Sequence, residues 1–233
     1  MIPLRDDIPT LRTAYVTYGL ILLNVVVFLY ELMLGSEGVN QFIQHWGTVP
    51  NDVVGTIRSG AFDARILATL VTSIFIHGGW LHLLGNMLYL YIFGNNVEDS
   101  MGRVRFIVFY LLVGVAANFG QILVASDSTA AGVGASGAIA GVLGAYLILY
   151  PRARVLVLVP AIFIWPMFYL PAAVVLVFWF LLQLFQGTAS LAAGQAGMGG
   201  VAFWVHVAGF VLGMGLVFLF RDRSLTGRKP TWM

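Results

Sequence analysis

The sequence predicts an all-α membrane protein, a six-transmembrane-helix bundle with both termini cytoplasmic, and three observations predict it. Composition is the first: of 233 residues 60% are hydrophobic and 9% charged, with a mean hydropathy of +0.91, whereas a soluble domain carries roughly 25% charge. The second is six apolar stretches, each near the roughly 20 residues that cross a bilayer or a little short of it. The third is the way the basic residues segregate between the segments that join those stretches.

In order, the spans run from about 15 to 34, 81 to 97, 104 to 125, 134 to 150, 170 to 187 and 201 to 220. The second and fourth are short in apolar length and rich in polar or small residues, as suits helices enclosed by their neighbours. A further segment, "VLVLVPAIFIWP" at 155 to 166, is broken by prolines and reads as an interfacial loop. With six spans and a cytoplasmic N-terminus, the inner segments hold Arg5, Arg12, Arg103, Arg105, Arg152, Arg154, Arg221, Arg223, Arg228 and Lys229, ten of the twelve basic residues. Only Arg58 and Arg65 fall outside. Counting 155 to 166 as a seventh span would send the last four basic residues to the outer side and weaken the bias.

The long first outer loop, 35 to 68, contains "QFIQHWG" among polar and Gly-containing sequence, and reads as a half-buried insertion at the membrane surface. No internal repeat or low-complexity tract is present, so residues 1–233 are treated as a single domain. The opening "MIPLRDDIPTLRT" mixes arginines, aspartates and prolines and resembles neither a signal peptide nor a transit peptide. The first helix is therefore expected in the mature protein, and short basic termini suit a bacterial plasma membrane. A net charge of +2 with scattered basic residues gives no nucleic-acid footprint. The absence of cysteine excludes disulfides, thiolate chemistry and Cys-based metal sites, leaving a hydroxyl, amine or carboxylate as any nucleophile.

Polar and ionisable groups at membrane depth are expensive and point to function. His77, His82 and Asn86 lie at the outer entrance of span 2, in "HGGWLHLLGNM". His82 and Asn86, four residues apart, share one helix face. Ser136 opens span 4 in "GVGASGAIAG", and His206 enters about five residues into span 6, roughly 7 or 8 Å below its start. Three helices thus bring Ser136, His206 and the His82/Asn86 pair to similar depth on the outer side.

Packing explains part of this pattern. Gly137 and Gly141, like Gly209 and Gly213, have the G-x-x-x-G spacing that lets helix backbones approach closely. The two readings are compatible, because close approach of spans 4 and 6 would carry Ser136 to His206. His77, His82 and His206 could also be read as metal ligands, but there is no H-E-x-x-H and the i, i+5 spacing of His77 and His82 does not share a helix face. The metal reading is therefore set aside. No carboxylate is placed to orient His206, so the expectation is a Ser136–His206 dyad, with Asn86, His82 and the Ser136 backbone N–H as oxyanion donors. A transporter or channel is a further reading, poorly supported because paired acids and bases are missing from the spans.

Together these residues resemble the rhomboid family of intramembrane serine proteases, from the first helix to the last. The family's H-x4-H-x3-N pattern appears as His77, His82 and Asn86, its G-x-S-G as Gly134 to Gly137, and its H-x2-G-x3-G as His206, Gly209 and Gly213. "NVEDSMGRVRF" after span 2 is similar to the family's loop there. The resemblance implies Ser136 as nucleophile, His206 as base, His82 and Asn86 binding the oxyanion, and His77 shaping that region. It implies no metal and no cofactor. The implied partners are single-span membrane protein substrates within the lipid bilayer, cut in or near their transmembrane helix; a catalytically silent member would bind client helices instead. Two positions depart from the pattern: Ala140 stands one turn after the serine where some members carry an aromatic residue, and the outer loop has no Trp-Arg pair. Access is expected from the outer side, with the Gly-rich segment 187 to 200 as a cap and Met198 and Phe203 as its contacts.

Overall fold

A helix with apolar side chains all round has no aqueous face, and α1 (Tyr15–Met33) shows what that means here. Its inward residues, spaced three or four apart, are Thr17, Leu20, Asn24, Phe28 and Glu31, while Leu22, Val26, Leu29 and Met33 point outward and are exposed. Apolar surface out and polar groups in is the pattern of a helix whose solvent is lipid. The computed structural model describes residues 1–60, 62–160, 165–195 and 201–224.

Four described helices are long and apolar enough to cross a membrane: α1, α7 (Arg103–Val124), α9 (Ala172–Ala192) and α10 (Phe203–Phe220). A fifth candidate is a pair bent by 77°. Its first limb is α4 (Ala64–Thr72) with a 3-10 turn, Ser73–Phe75; its second is α5 (Trp80–Tyr89), a π-helical turn at Leu90–Gly94, and α6 (Asn95–Met101). The remaining apolar helix, α8 (Ser136–Leu149), has 14 residues, about 21 Å at 1.5 Å per residue. Every residue of α8 from Gly137 to Tyr146 is buried, against α5, α6, α7, α9 and α10. The predicted first, third and sixth spans coincide with α1, α7 and α10 to within two residues, and the fifth, as α9, runs five residues further than expected.

The contact between α8 and α10 is the closest in the bundle. A Cβ on Gly209 would collide with the Gly137 carbonyl, one on Gly213 with the backbone of Gly141, and one on Gly144 with the Phe210 carbonyl. The two G-x-x-x-G sets therefore face each other, and dispersion between touching backbones replaces the hydrophobic effect that lipid does not supply.

Two expectations need correction. The chain is not all-α, because β1 (Ile2–Asp6), β2 (Arg154–Leu158) and β3 (Met167–Pro171) form an antiparallel sheet in the order β1-β2-β3. Part of the presumed interfacial loop is thus a hairpin, formed where "RVLVL" is too short and β-branched for a helix; residues 161–164 lie outside the described residues. The outer loop is not loop-like either. It contains α2 (Gly35–Trp46), α3 (Pro50–Ser59) and the start of α4, with Pro50 opening α3, Gly60 closing it at φ 65°, and Asp63 capping α4 through the N–H groups of Arg65 and Ile66.

At the end of the bundle away from Ser136, the buried Glu98 carboxylate accepts from Val16 N (3.1 Å), Thr17 N (2.7 Å) and Thr17 Oγ1 (2.8 Å). These are N–H groups that the first turn of α1 cannot satisfy internally, and an acid complements the dipole there. Asp99 adds bonds from Leu11 N and Arg12 Nε. The "NVEDS" stretch is therefore the anchor of α1.

Candidate active site

Ser136 is reached by a segment pinned on the insertion of residues 35 to 68. Thr48 and Gly132 exchange backbone hydrogen bonds of 3.0 and 2.8 Å, and Gly134 N donates to the Ser73 carbonyl at 2.8 Å. Gly134 has φ 127°, which side-chain-bearing residues rarely adopt, and a Cβ there would lie 2.6 Å from His82 Nε2. The glycine of the G-x-S-G string thus lets the His82 imidazole lie against the backbone just before the serine. Ser136 then begins α8, and no side chain caps this helix end. Its first N–H groups lack intrahelical acceptors.

The imidazole comes from α10. His206 Nε2 lies 2.7 Å from Ser136 Oγ, so the two groups expected to meet are hydrogen-bonded. Gly137 makes this possible: a Cβ on it would strike Val205 Cγ1 at 2.6 Å, holding the first turn of α10 away. Ala140 is fully buried, and its Cβ is 3.2 Å from the position of a Cβ on Gly209. An aromatic side chain at position 140 would therefore push α10 outward.

The ring absent from α8 is supplied by α9. Trp179 lies with its centroid 5.9 Å from that of His206, tilted by 39°, and Gln183, one turn further along α9, places Oε1 2.7 Å from His206 Nδ1. Sequence reasoning missed both residues. The signal was present: Gln183 is the only polar amide in the apolar run "VVLVFWFLLQLF", four residues after a tryptophan.

On α5, His82 is half-buried and Asn86 buried one turn deeper, with Asn86 Nδ2 lacking a protein partner. No hydrogen bond joins Asn86 to Ser136 among the described residues. His77 is not on the helix; it precedes α5, buried, with its ring centroid 5.1 Å from that of His82 and its N–H donating to the Glu31 carboxylate at 3.1 Å. Among the described residues, no group of three or more His, Asp or Glu gathers in a way that could hold a metal ion. A cavity of about 690 Å³ opens on the Val205 side of His206, lined by Asn118, Gln186, Ser190, Phe203 and Val205 among others. Of the expected cap, residues 187–192 continue α9 and Phe203 begins α10, while Met198 lies outside the described residues.

A family model described as the Rhomboid domain matches residues 64–223, from α4 past the end of α10. The chain belongs to the rhomboid family. Curated relatives agree with this. "RHOMBOID-like protein 5" of Arabidopsis thaliana is 35% identical over 100 residues, covering 40% of this chain and 32% of that protein. "Rhomboid-like protein 11, chloroplastic", also of Arabidopsis thaliana, is 45% identical over 71 residues, 30% of this chain and 25% of that protein. "Putative rhomboid protease YdcA" of Bacillus subtilis (strain 168) is 38% identical over 78 residues, 34% of this chain and 39% of that protein. These alignments span between a quarter and two-fifths of the relatives' lengths. The rhomboid match includes His77, His82, Asn86, Gly134, Ser136, Trp179, Gln183 and His206, while Glu31, Thr48, β1 and the helices α1, α2 and α3 lie outside it.

Proposed function

We propose that this rhomboid is an intramembrane serine endopeptidase that cleaves membrane-anchored proteins in or near their transmembrane helix. The observation that carries this reading is the 2.7 Å contact between Ser136 Oγ and His206 Nε2, made by two helices whose backbones interlock through glycine.

In the mechanism, His206 takes the proton of the Ser136 hydroxyl as the oxygen attacks the scissile carbonyl, then gives it to the leaving amine. Water repeats the sequence on the acyl-enzyme and frees Ser136. Charge develops on the carbonyl oxygen. The uncapped N–H groups at the start of α8, the unpartnered Asn86 amide and His82 are the donors that would receive it, in a site where low dielectric strengthens them. His77 supports His82 from behind. The chemistry needs neither metal nor cofactor.

The setting follows the same reading. Six crossings with both termini cytoplasmic place Ser136 and His206 toward the outer side of a bacterial plasma membrane. At about 21 Å, α8 is shorter than the roughly 30 Å hydrocarbon layer, so a serine at its end sits below the surface. A substrate helix hides its carbonyls in its own hydrogen bonds, so single-span proteins with Gly or Pro near a small residue are the expected clients.

The test is cleavage of a membrane-anchored reporter by detergent-purified protein, comparing wild type with Ser136→Ala and His206→Ala. Wild type cuts and both variants lose activity on this reading. Cleavage that survives either substitution removes the dyad, and reporter binding without cleavage by any form marks a silent client-binding protein.

A further inference from the structure

Building on this protease reading, we propose that Gln183 is a positioning residue that fixes the tautomer and ring orientation of His206, the task a carboxylate performs in a Ser-His-Asp triad. His206 can act as a base toward Ser136 only if Nε2 carries a lone pair. In neutral imidazole one nitrogen is protonated and the other is not. The structure sets Gln183 Oε1, which can only accept, 2.7 Å from Nδ1. The proton therefore belongs on Nδ1, which donates to Gln183, and Nε2 accepts from the Ser136 hydroxyl at 2.7 Å.

The two bonds lie at opposite edges of one ring and pull on different helices, α8 and α9, while the face of the Trp179 ring limits how the imidazole can tilt. Trp179 and Gln183 are one turn apart on α9, so a single helix supplies both restraints. That arrangement also accounts for Ala140: with the ring held from α9, no aromatic is needed on α8, and the small residue lets Gly209 and Gly137 touch.

Glutamine is a conditional device where a carboxylate is not. Rotating its amide by half a turn would present NH2 to Nδ1, drive the proton to Nε2, and leave His206 donating to Ser136 instead of accepting. In the structure Oε1 faces the ring, the arrangement that leaves Nε2 to accept from Ser136.

The experiment uses the full chain with 15N-labelled histidine in detergent. It has four histidines, and His206→Ala assigns the signal of interest. In wild type His206 shows a protonated Nδ1 and an unprotonated Nε2. Gln183→Leu, which cannot accept, gives a mixture of tautomers and lowers kcat by part of the about 10²- to 10⁴-fold that a positioned general base contributes, with KM unchanged. Gln183→Glu restores both the Nδ1–H signal and most of kcat. A wild-type His206 protonated at Nε2 overturns the proposal, as does a Gln183→Leu protein with the native tautomer and native kcat. Loss of folding in Gln183→Leu alone is separated from loss of positioning by the Glu variant, whose failure to restore the Nδ1–H signal also counts against it. If wild type holds the predicted tautomer yet cuts no reporter, the protease reading fails and the positioning role stands.

Discussion

The Tyr146 hydroxyl donates a 2.6 Å hydrogen bond to the Asp6 carboxylate, joining α8 to β1 across 140 residues of sequence. Asn96 Nδ2 donates to the same oxygen at 2.6 Å. Burial pushes the Asp6 carboxyl up from its ordinary 3.8 to about 6, outweighing the Tyr146 bond, which favours the charged form; nearby Asp7 adds a further upward push. The folded state therefore binds this proton more tightly than the unfolded chain. The stabilisation is complete below about pH 3.8 and is lost as pH rises through 6. Asp6→Asn, which keeps an accepting oxygen, is expected to flatten the pH dependence of thermal unfolding between those limits. The effect is on the order of 1–2 kcal/mol after solvent screening. An unchanged slope in that window would show that Asp6 is not its source.

Gly213→Val places side-chain atoms where the Gly141 backbone already lies. The expected cost is about 1–3 kcal/mol or more, with loss of reporter cleavage because α10 carries His206. Gly215, two residues on, has nothing within 4 Å of a Cβ, and Gly215→Ala is expected to leave both stability and cleavage within error of wild type. Thermal unfolding and cleavage of the two variants side by side provide the check; equal tolerance would mean α8 and α10 are not in backbone contact.

At Gly134 the conflict is with the site rather than with packing. Gly134→Ala must displace His82 and also strain a backbone at φ 127°. Cleavage should fall about 100-fold, the order of one lost oxyanion donor, with a smaller change in unfolding temperature. His82→Ala is expected to match it, and the double variant to be no worse than the worse single. Additive losses would place the two residues in separate roles.

Glu98→Ala leaves the Val16 and Thr17 N–H groups and the Thr17 hydroxyl without their acceptor. A cost of about 2–3 kcal/mol is expected, with Glu98→Gln intermediate because one oxygen remains. A loss below about 1 kcal/mol in chemical denaturation would mean that water replaces the carboxylate and that α1 is not anchored through it.

Much of this molecule was legible in the sequence, and the part that was not has physical causes. Long apolar runs mark α1, α7 and α10 because lipid exposure demands apolar residues on most faces. Ser136 and His206 could be paired because alternating topology fixes which helix ends share a side. β1 was invisible: "IPLRD" becomes a strand only by meeting β2, and no local pattern announces a partner 150 residues away. Trp179 and Gln183 escaped for a related reason. Gln183 is marked as a polar group in an apolar helix, but that it and Trp179 meet His206 depends on how α9 leans on α10. The helices of the 35 to 68 insertion were hidden because their amphipathic stripes are short and end at Gly47 and Gly60.

The pairing of Ile2 with Leu158 also imposes an order of events during synthesis. β1 is made more than 150 residues before the strand it pairs with, and of its other partners Asn96 comes midway and Tyr146 only shortly before β2. The backbone pairing of β1 must wait until the helices between it and β2 have been made, so this sheet closes late and by a long-range contact, the slow kind. Interference with those few residues during translation would be felt as a delay in maturation, before any effect on the finished protein.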